Sequence, residues 1–154
     1  MALAVGDVAP NFDLPTDGGG RVKLSDHLGK KVVVYFYPKD DTSGCTKEAQ
    51  AFTDLAGDFA ALGVPVIGIS PDAVKSHDKF KAKYGLDLIL ASDEDKTALE
   101  AWGVWVEKSM YGRSYMGVER STFLVGADGK IAKAWPKVKV PGHAEEVLAA
   151  AKAH

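Results

Sequence analysis

The chain has 154 residues, of which 46% are hydrophobic and 26% are charged, a size and composition that suit one folded domain. Its net charge is −2 and its sequence pI is about 6.1, so composition gives no basic surface for nucleic acid or an anionic membrane. Its apolar runs are much shorter than the roughly 20 residues of a membrane-spanning helix. These features predict a single soluble domain over residues 1–154, without a signal peptide and located in the cytoplasm.

The first predicted elements are a small hairpin and a buried strand. Residues 11–30 contain two short alternating stretches around a turn at Asp17–Gly20, and Ser25 or Asp26 is suited to cap a short helical turn. The stretch KVVVYFY, Lys31–Tyr37, is rich in β-branched and aromatic residues. It predicts a strand that is buried on both faces of a sheet.

Two helices and a second strand follow. Apolar residues at three- and four-residue spacing predict one helix that starts near Cys45 and ends at Gly63. Val64–Ser70 predicts a second buried strand, and Asp72–Tyr84 predicts a helix with Asp72 as its N-cap and Gly85 as its stop. The apolar stripe of the first helix consists of Ala49, Phe52, Leu55, Ala56, Phe59 and Leu62.

The region after Gly85 begins with a strand and a helix and continues into a segment that is hard to assign. The stretch LDLILAS, residues 86–92, predicts a third strand, and Asp95–Trp102 predicts a third helix that ends at Gly103. The segment GVWVEKSMYGRSYMGVER, residues 103–120, is rich in glycine and aromatic residues. We predict that it forms a long loop with a bent extended part.

The C-terminal part predicts a second hairpin and a closing helix. Residues 121–135 contain two strand-like runs around Ala127-Asp128-Gly129, with Asp-Gly as the turn signal, and His143–Lys152 is helical and rich in alanine. Alternating strands and helices predict an α/β fold whose central mixed sheet is flanked by helices. This order most resembles a thioredoxin-like fold with an N-terminal β-hairpin extension and an insertion.

Cys45 is the only cysteine, so no disulfide can form within the chain, which fits a reducing compartment. It follows the first buried strand and begins a helix, and ligands in such sheets bind at the carboxyl ends of the strands. The N–H groups of a helix N-terminus favour a thiolate. The hydroxyl of Thr42, three residues earlier, can donate a hydrogen bond back toward the sulfur.

Two interpretations of Cys45 remain open at this point: a packed hydrophobic residue or a nucleophile. Free cysteine is often buried and inert. The neighbours of Cys45 are Gly44 and polar residues, and the apolar stripe of the helix begins only at Ala49. This environment predicts an exposed, reactive thiol.

The stretch PKDDTSGC, Pro38–Cys45, matches the P-x-x-x-T-x-x-C signature of peroxiredoxins. Its wider context, VYFYPKDDTSGCTKEAQAF, resembles the bacterioferritin comigratory protein or peroxiredoxin Q subfamily. The resemblance extends over nearly the whole chain. Its other segments are GDVAPNFDLP, VIGIS, LASDED, GVWVEKSMYG and RSTFLVGADGKI, in that order.

The resemblance implies a thiol-dependent peroxidase that reduces hydrogen peroxide and organic hydroperoxides. Cys45 would attack the O–O bond and become a sulfenic acid. The Thr42 hydroxyl would contact the sulfur and the peroxide, Pro38 would shield the sulfur, and Arg120 would polarise the substrate. The backbone N–H of Gly44 would help to bind substrate, and Glu48 matches an acidic residue of the subfamily whose role stays open.

Many members of this subfamily carry a resolving cysteine five residues after the first, where this chain has Gln50. The resemblance therefore implies a one-cysteine peroxiredoxin, recycled by an external thiol such as thioredoxin, or glutathione with glutaredoxin. The sequence does not distinguish a natural glutamine from an engineered replacement. No cofactor is implied, and a monomer or weak dimer is expected.

Three other functions would make different demands on the same residues. A thioredoxin-like oxidoreductase would use C-x-x-C, but positions 42 and 48 hold Thr and Glu. A non-enzymatic redox sensor that uses the same thiol stays open. A cysteine hydrolase is disfavoured because no histidine lies in a context that would pair with Cys45.

Three further groups of residues give weaker predictions. The acidic run Asp93–Asp95 predicts helix capping, and we predict surface histidines and no metal site. Packing is favoured over a pocket wall or dimer contact for a cluster of aromatic and thioether side chains. The histidines are His27, His77, His143 and His154, and the cluster is Trp102, Trp105, Met110, Tyr111, Tyr115 and Met116.

Overall fold

A computed structural model describes residues 3–154, so the first two residues of the predicted domain lie outside the described part. Its strands are β1 Asp13–Pro15, β2 Arg21–Lys23, β3 Val32–Phe36, β4 Val66–Ser70, β5 Ile89–Ser92, β6 Trp105–Met110, β7 Arg113–Val118, β8 Ser121–Val125 and β9 Ile131–Trp135. Its α-helices are α1 Ser43–Asp54, α2 Ala56–Ala61, α3 Val74–Tyr84, α4 Thr97–Ala101 and α5 His143–Ala153.

The central sheet has five strands in the order β5-β4-β3-β8-β9. Strands β3, β4 and β5 are parallel, and β8 is antiparallel to both β3 and β9, so the sheet is mixed. The predicted buried strand is its middle member, and all five residues of Val32–Phe36 are buried. The predicted α/β fold of thioredoxin type is therefore confirmed.

Two hydrophobic cores lie on opposite faces of this sheet, because successive side chains of a strand point to opposite sides. Val34 and Phe36 of β3 pack with α4 and the N-terminal segment. Tyr35, and Tyr37 just after the strand, pack with α1, α2, α3 and α5. The second core is the one that contains Cys45.

Both predicted hairpins are present. Strands β1 and β2 pair with Leu14 opposite Val22, and β8 and β9 pair around a turn in which Gly129 has φ +78°. The helical turn after β2 is a 3-10 helix, Leu24–His27, without a side-chain cap. The predicted capping by Ser25 or Asp26 is therefore wrong.

Of three predictions about helix ends, one is confirmed and two are wrong. The long helix is broken at Leu55, whose N–H bonds to Phe52 in a tighter turn, and α2 continues the stripe so that the rings of Phe52 and Phe59 still pack. Gly85 ends α3 as predicted, in a left-handed conformation. Asp72 does not cap α3, because its carboxylate accepts hydrogen bonds elsewhere.

The third predicted helix is shorter than expected. Helix α4 begins at Thr97, and Asp93, before it, accepts the backbone N–H of Leu99 at 2.8 Å. Asp93 thus binds an N–H of the first turn as predicted for the acidic run, although the N-cap residue itself is Lys96. Burial raises the pKa of Asp93, and the N–H groups at the start of the helix oppose that rise.

The predicted long loop at residues 103–120 is wrong, because β6 and β7 form a regular hairpin there with Trp105 opposite Val118. Trp102 is buried, but the hairpin side chains that we expected to pack are exposed. The exposed members of that cluster are Met110, Tyr111, Tyr115 and Met116. No helix among residues 3–154 is long and apolar enough to cross a membrane.

Candidate active site

Cys45 lies in the first turn of α1, directly after the segment that leads from β3 into that helix. We call this segment, residues 37–42, the thiol loop. Thr42 is the N-cap of α1, and its carbonyl accepts the N–H of Thr46 at 2.8 Å. The sulfur therefore lies at the end of the helix where N–H groups are unpaired and the dipole favours negative charge.

The predicted exposure of Cys45 is wrong, since only 1% of the residue is accessible. Its side chain belongs to the core that contains Tyr35, Tyr37 and Phe52. The polar neighbours in sequence misled the prediction because they point outward from the first turn. The thiol is thus buried, yet it contacts a charged group.

That charged group is Arg120, which lies between β7 and β8. Its Nη2 donates to Cys45 Sγ at 3.1 Å, and its Nη1 donates to Glu48 Oε1 at 2.7 Å. The two nitrogens of one planar guanidinium thus bind the thiol and the carboxylate together, a geometry that lysine cannot reproduce. The structure thus brings together three of the six residues that the sequence predicted for the site.

The electrostatics of this group depend on burial. Burial raises the pKa of Glu48 to about 7, against the opposing effect of Arg120. Burial alone would lower the pKa of Arg120, but Glu48 and Cys45 outweigh it and raise that pKa. Among residues 3–154, no hydrogen-bond partner reaches the second carboxylate oxygen, Glu48 Oε2, or the hydroxyl of Tyr35, and both atoms are buried.

Gly44 permits the close approach of the guanidinium. A Cβ added at this position would lie 3.2 Å from Arg120 Nη2. That distance is shorter than ordinary van der Waals contact. Gly44 is therefore next to the guanidinium as well as one of the first residues of α1.

The two remaining predicted residues lie in the thiol loop. The Thr42 hydroxyl donates to the carbonyl of Lys39 at 3.0 Å, so it does not donate to the sulfur in this state, contrary to the prediction. Pro38 is half-buried at the start of the loop.

Sequence reasoning missed two buried histidines, His77 and His143, which are 0% and 4% accessible. The prediction of surface histidines is wrong for both. His77 lies three residues before the buried Phe80 on α3, a spacing that could have indicated an inward position. His143 Nε2 is 2.8 Å from Thr122 Oγ1, and burial lowers its pKa.

Asp40, Asp72 and His77 bring ligand-type atoms within 4.8 Å of one another. Hydrogen bonds already occupy these atoms, because Asp40 Oδ2 is 2.7 Å from His77 Nδ1 and Asp72 Oδ2 accepts the Asp40 N–H. The Asp40 N–H and the His77 ring supply hydrogens to the two carboxylates, so the three residues fit a hydrogen-bond network better than a cation site.

The mixed sheet and the buried thiol, held at a helix N-terminus by an arginine, define a thioredoxin-fold protein that performs thiol redox chemistry. The AhpC/TSA family model matches residues 5–134. The chain belongs to this family and, within it, to the Bcp or peroxiredoxin Q group of peroxiredoxins, which are thiol-dependent peroxidases. It is a one-cysteine member, since Cys45 is its only cysteine.

Curated relatives cover almost the whole chain. A putative peroxiredoxin of Coxiella burnetii is 53% identical over 96% of this chain and 98% of its own length. Peroxiredoxin Bcp of Bacillus subtilis is 47% identical over 96% of this chain and 94% of its own.

Solved structures agree with this assignment. The bacterioferritin comigratory protein of Xanthomonas campestris, studied for alkyl peroxide reduction, has a TM-score of 0.91 at 45% identity and covers 99% of this chain and 97% of its own. A peroxiredoxin Q variant of Xylella fastidiosa has a TM-score of 0.94 at 44% identity, and the match covers 100% of this chain and 98% of the Xylella chain.

Proposed function

We propose that Cys45 is the peroxidatic residue and that residues 1–154 act as one catalytic domain. The observation that carries the proposal is the guanidinium of Arg120, which donates both to Cys45 Sγ and to Glu48 Oε1. A positive group at 3.1 Å stabilises the thiolate, which is the nucleophilic form.

The proposed reaction displaces one oxygen of the peroxide. The Cys45 thiolate attacks the nearer oxygen, an S–O bond forms and the O–O bond breaks, which leaves a cysteine sulfenic acid. The departing hydroxide or alkoxide takes a proton and leaves as water or alcohol. Negative charge moves from sulfur to oxygen in the transition state, where Arg120 and the N–H groups of the first turn of α1 can stabilise it.

The other site residues have supporting roles in this proposal. Glu48 orients Arg120 through the 2.7 Å contact, and Gly44 leaves room for the guanidinium and offers its N–H to substrate. Before peroxide binds, the Thr42 hydroxyl closes the loop by donating to the Lys39 carbonyl. The same hydroxyl can turn toward a bound peroxide. Pro38 fixes the backbone where the loop begins.

An external thiol must complete the cycle, because the chain offers no second cysteine. One thiol displaces water from the sulfenic acid to form a mixed disulfide, and a second thiol releases Cys45 and leaves as a disulfide. We propose thioredoxin, or glutathione with glutaredoxin, as the reductant and the cytoplasm as the compartment that supplies it. Gln50, at the position of the subfamily's resolving cysteine, is exposed.

We propose hydrogen peroxide and organic hydroperoxides as substrates, the latter because the X. campestris relative is studied for alkyl peroxide reduction. No cofactor is required for this chemistry, and no nucleic acid is expected as a partner. We propose a monomer or weak dimer in solution, which sedimentation at several concentrations would test.

The test is a stopped-flow measurement of peroxide loss with the purified protein. We expect second-order reduction by wild type, none by Cys45→Ser, and about a hundredfold loss for Arg120→Met, the range observed when one donor to a developing oxyanion is removed. Arg113→Met is the matched control, because Arg113 is exposed on β7. Dimedone labelling followed by mass spectrometry should place one sulfenic acid on Cys45 after one equivalent of peroxide.

The result also separates the competing functions. A rate no faster than that of free cysteine would overturn the peroxidase and leave a redox sensor. Reduction of insulin disulfides would indicate a thioredoxin-like oxidoreductase. Parallel turnover assays with thioredoxin and with glutathione plus glutaredoxin identify the reductant.

A further inference from the structure

A buried ion pair lies beneath the thiol loop, and no step of the proposed reaction uses it. Asp40 is in the middle of the loop with its side chain 3% exposed, and His77 on α3 is completely buried. The distance from His77 Nδ1 to Asp40 Oδ2 is 2.7 Å. Charged groups are rarely buried so deeply unless they are paired.

Both ring nitrogens of His77 face acceptors. Nδ1 faces the Asp40 carboxylate, and Nε2 lies 3.0 Å from the carbonyl oxygen of Ala91 on β5. A neutral imidazole has only one N–H, so both contacts are satisfied only in the charged form. Burial alone lowers the pKa of His77, but Asp40, the Ala91 carbonyl and the charge of Asp72 outweigh it and raise that pKa.

Asp40 connects the loop to three neighbouring elements. Its carboxylate accepts hydrogen bonds from the hydroxyls of Tyr37 at 2.6 Å and Ser76 at 2.8 Å, in addition to His77. Its backbone N–H donates to Asp72 Oδ2 at 2.8 Å. The carboxylate therefore ties the middle of the loop to its first residue, Tyr37, to the start of α3, and to β5 through the imidazole, and the backbone N–H ties it to the segment after β4.

We infer that His77, acting through Asp40, is a positioning residue that holds the thiol loop and the first turn of α1 in the arrangement that Arg120 recognises. The inference rests on the proposed function of Cys45. A loop without this anchor would position the sulfur less accurately for peroxide, which lowers the peroxide rate. It would also expose the sulfur more to other reagents, which raises the rate of alkylation. A general loss of stability would leave both rates of the folded protein unchanged.

The neighbouring residue provides the matched control. Asp41 also binds α3, where its carboxylate is 2.7 Å from Lys83 Nζ, but both side chains are exposed. Water can replace an exposed contact of this kind at little cost. Asp41→Asn therefore weakens another contact between the same loop and α3 without removing the buried anchor.

The experiment compares wild type with His77→Gln, Ser76→Ala and Asp41→Asn in two reactions of Cys45. We expect His77→Gln to react with hydrogen peroxide about ten- to a hundredfold more slowly, since small misplacements of reacting groups cost this much. The same variant should react with iodoacetamide severalfold faster. Ser76→Ala keeps the ion pair and should shift both rates in the same directions by a smaller factor, and Asp41→Asn should leave both within about twofold of wild type.

A pH profile gives a second readout. Above the raised pKa of His77 the wild-type imidazole loses its charge, so the ratio of wild-type to His77→Gln peroxide rate should fall toward one as pH rises. The titratable groups that face the ring are the Asp40 carboxylate and the Tyr37 hydroxyl, with the charge of Asp72 nearby.

The outcomes distinguish the two proposals. If wild type does not reduce peroxide at Cys45, the proposed function fails. If wild type does react but His77→Gln and Ser76→Ala keep both rates, the peroxidase stands and the positioning role is overturned. If His77→Gln does not fold, the two rates of Ser76→Ala decide whether the positioning role holds. Val125→Ala is then the control for lost stability, because Val125 is buried at the far end of β8.

Discussion

At the scale of single residues, the site depends on how closely a guanidinium can approach a buried sulfur. Arg120 reaches Cys45 over the backbone of Gly44, where an added Cβ would lie 3.2 Å from Nη2 and would crowd the guanidinium. The contact replaces water as the partner of the thiolate, which the surrounding aromatic side chains would otherwise disfavour. The smallest residue of the motif therefore has a role as specific as that of the charged ones.

The substitution Gly44→Ala tests this requirement. Its Cβ would lie 3.2 Å from Arg120 Nη2, so we expect the guanidinium to move and the peroxide rate to fall about tenfold, since hydrogen bonds weaken steeply with distorted geometry. Gly57→Ala is the control, because in the described part of the chain no atom outside the nearby backbone of α2 lies within 4 Å of the added Cβ. It should raise the free energy of unfolding by about 0.5–1 kcal/mol and leave the rate unchanged. An undiminished peroxide rate for Gly44→Ala would show that the guanidinium can shift away from the new Cβ without losing its contact with Cys45.

The residues of the site were predictable from sequence to different degrees. Cys45, Glu48 and Arg120 were identified through motif spacing and resemblance, and they are in contact. The burial of Cys45 was not predicted, because the apolar pattern of a helix shows only which of its own faces is buried. It does not show that Arg120, 75 positions away, contacts the first turn. His77 was missed for the same reason, since its partner Asp40 comes from another element.

At the scale of elements, the first turn of α1 combines two demands. In the proposed reaction it holds the thiol inside the core while peroxide reacts, and it later offers the oxidised sulfur to a second thiol. Position 50 lies on the same helix but is exposed, whereas Cys45 is buried, so the two side chains face different directions. In a regular helix, Cα atoms five residues apart are about 8–9 Å from each other.

The substitution Gln50→Cys tests how readily this turn opens. A disulfide needs Cα atoms within about 7 Å, so a bond between positions 45 and 50 requires α1 to unwind. We expect peroxide to produce an intramolecular disulfide together with a loss of helical circular dichroism, and both to reverse on reduction. Gln50→Ser should lose no helical signal under the same treatment. A disulfide that forms with the helical signal intact would contradict the expectation.

Element predictions succeeded where the pattern was strong and local. The strands of the central sheet and the glycine stop of α3 were recognised from β-branched runs and from one residue type. The β6–β7 hairpin was missed because its side chains are largely exposed and so carry no regular apolar alternation. The break at Leu55 was missed because the apolar stripe continues through it.

At the scale of the whole molecule, two buried groups make folding depend on pH in the same direction. Burial raises the pKa of Glu48 from 4.5 to about 7, and the environment of His77 raises its pKa above 6.5. A group whose pKa is higher in the folded state stabilises the fold fully below its unfolded pKa, and that contribution disappears as pH rises through the folded pKa. The stabilisation from Glu48 is therefore lost between pH 4.5 and about 7, and the stabilisation from His77 is lost as pH rises above 6.5.

The substitution Glu48→Gln isolates the first of these contributions, because glutamine has nearly the same shape and does not titrate. A shift of this size corresponds to about 3 kcal/mol, so between pH 4.5 and 8 the wild-type free energy of unfolding should fall by about that much more than the variant's. Urea unfolding at several pH values measures the difference, with Cys45→Ser as the common background so that the thiol does not titrate. Glu107→Gln, at an exposed position on β6, should follow the parent curve. Parallel curves for Glu48→Gln and its parent would mean that Arg120 keeps Glu48 ionised throughout, and the ion pair would then be the permanent state of the site.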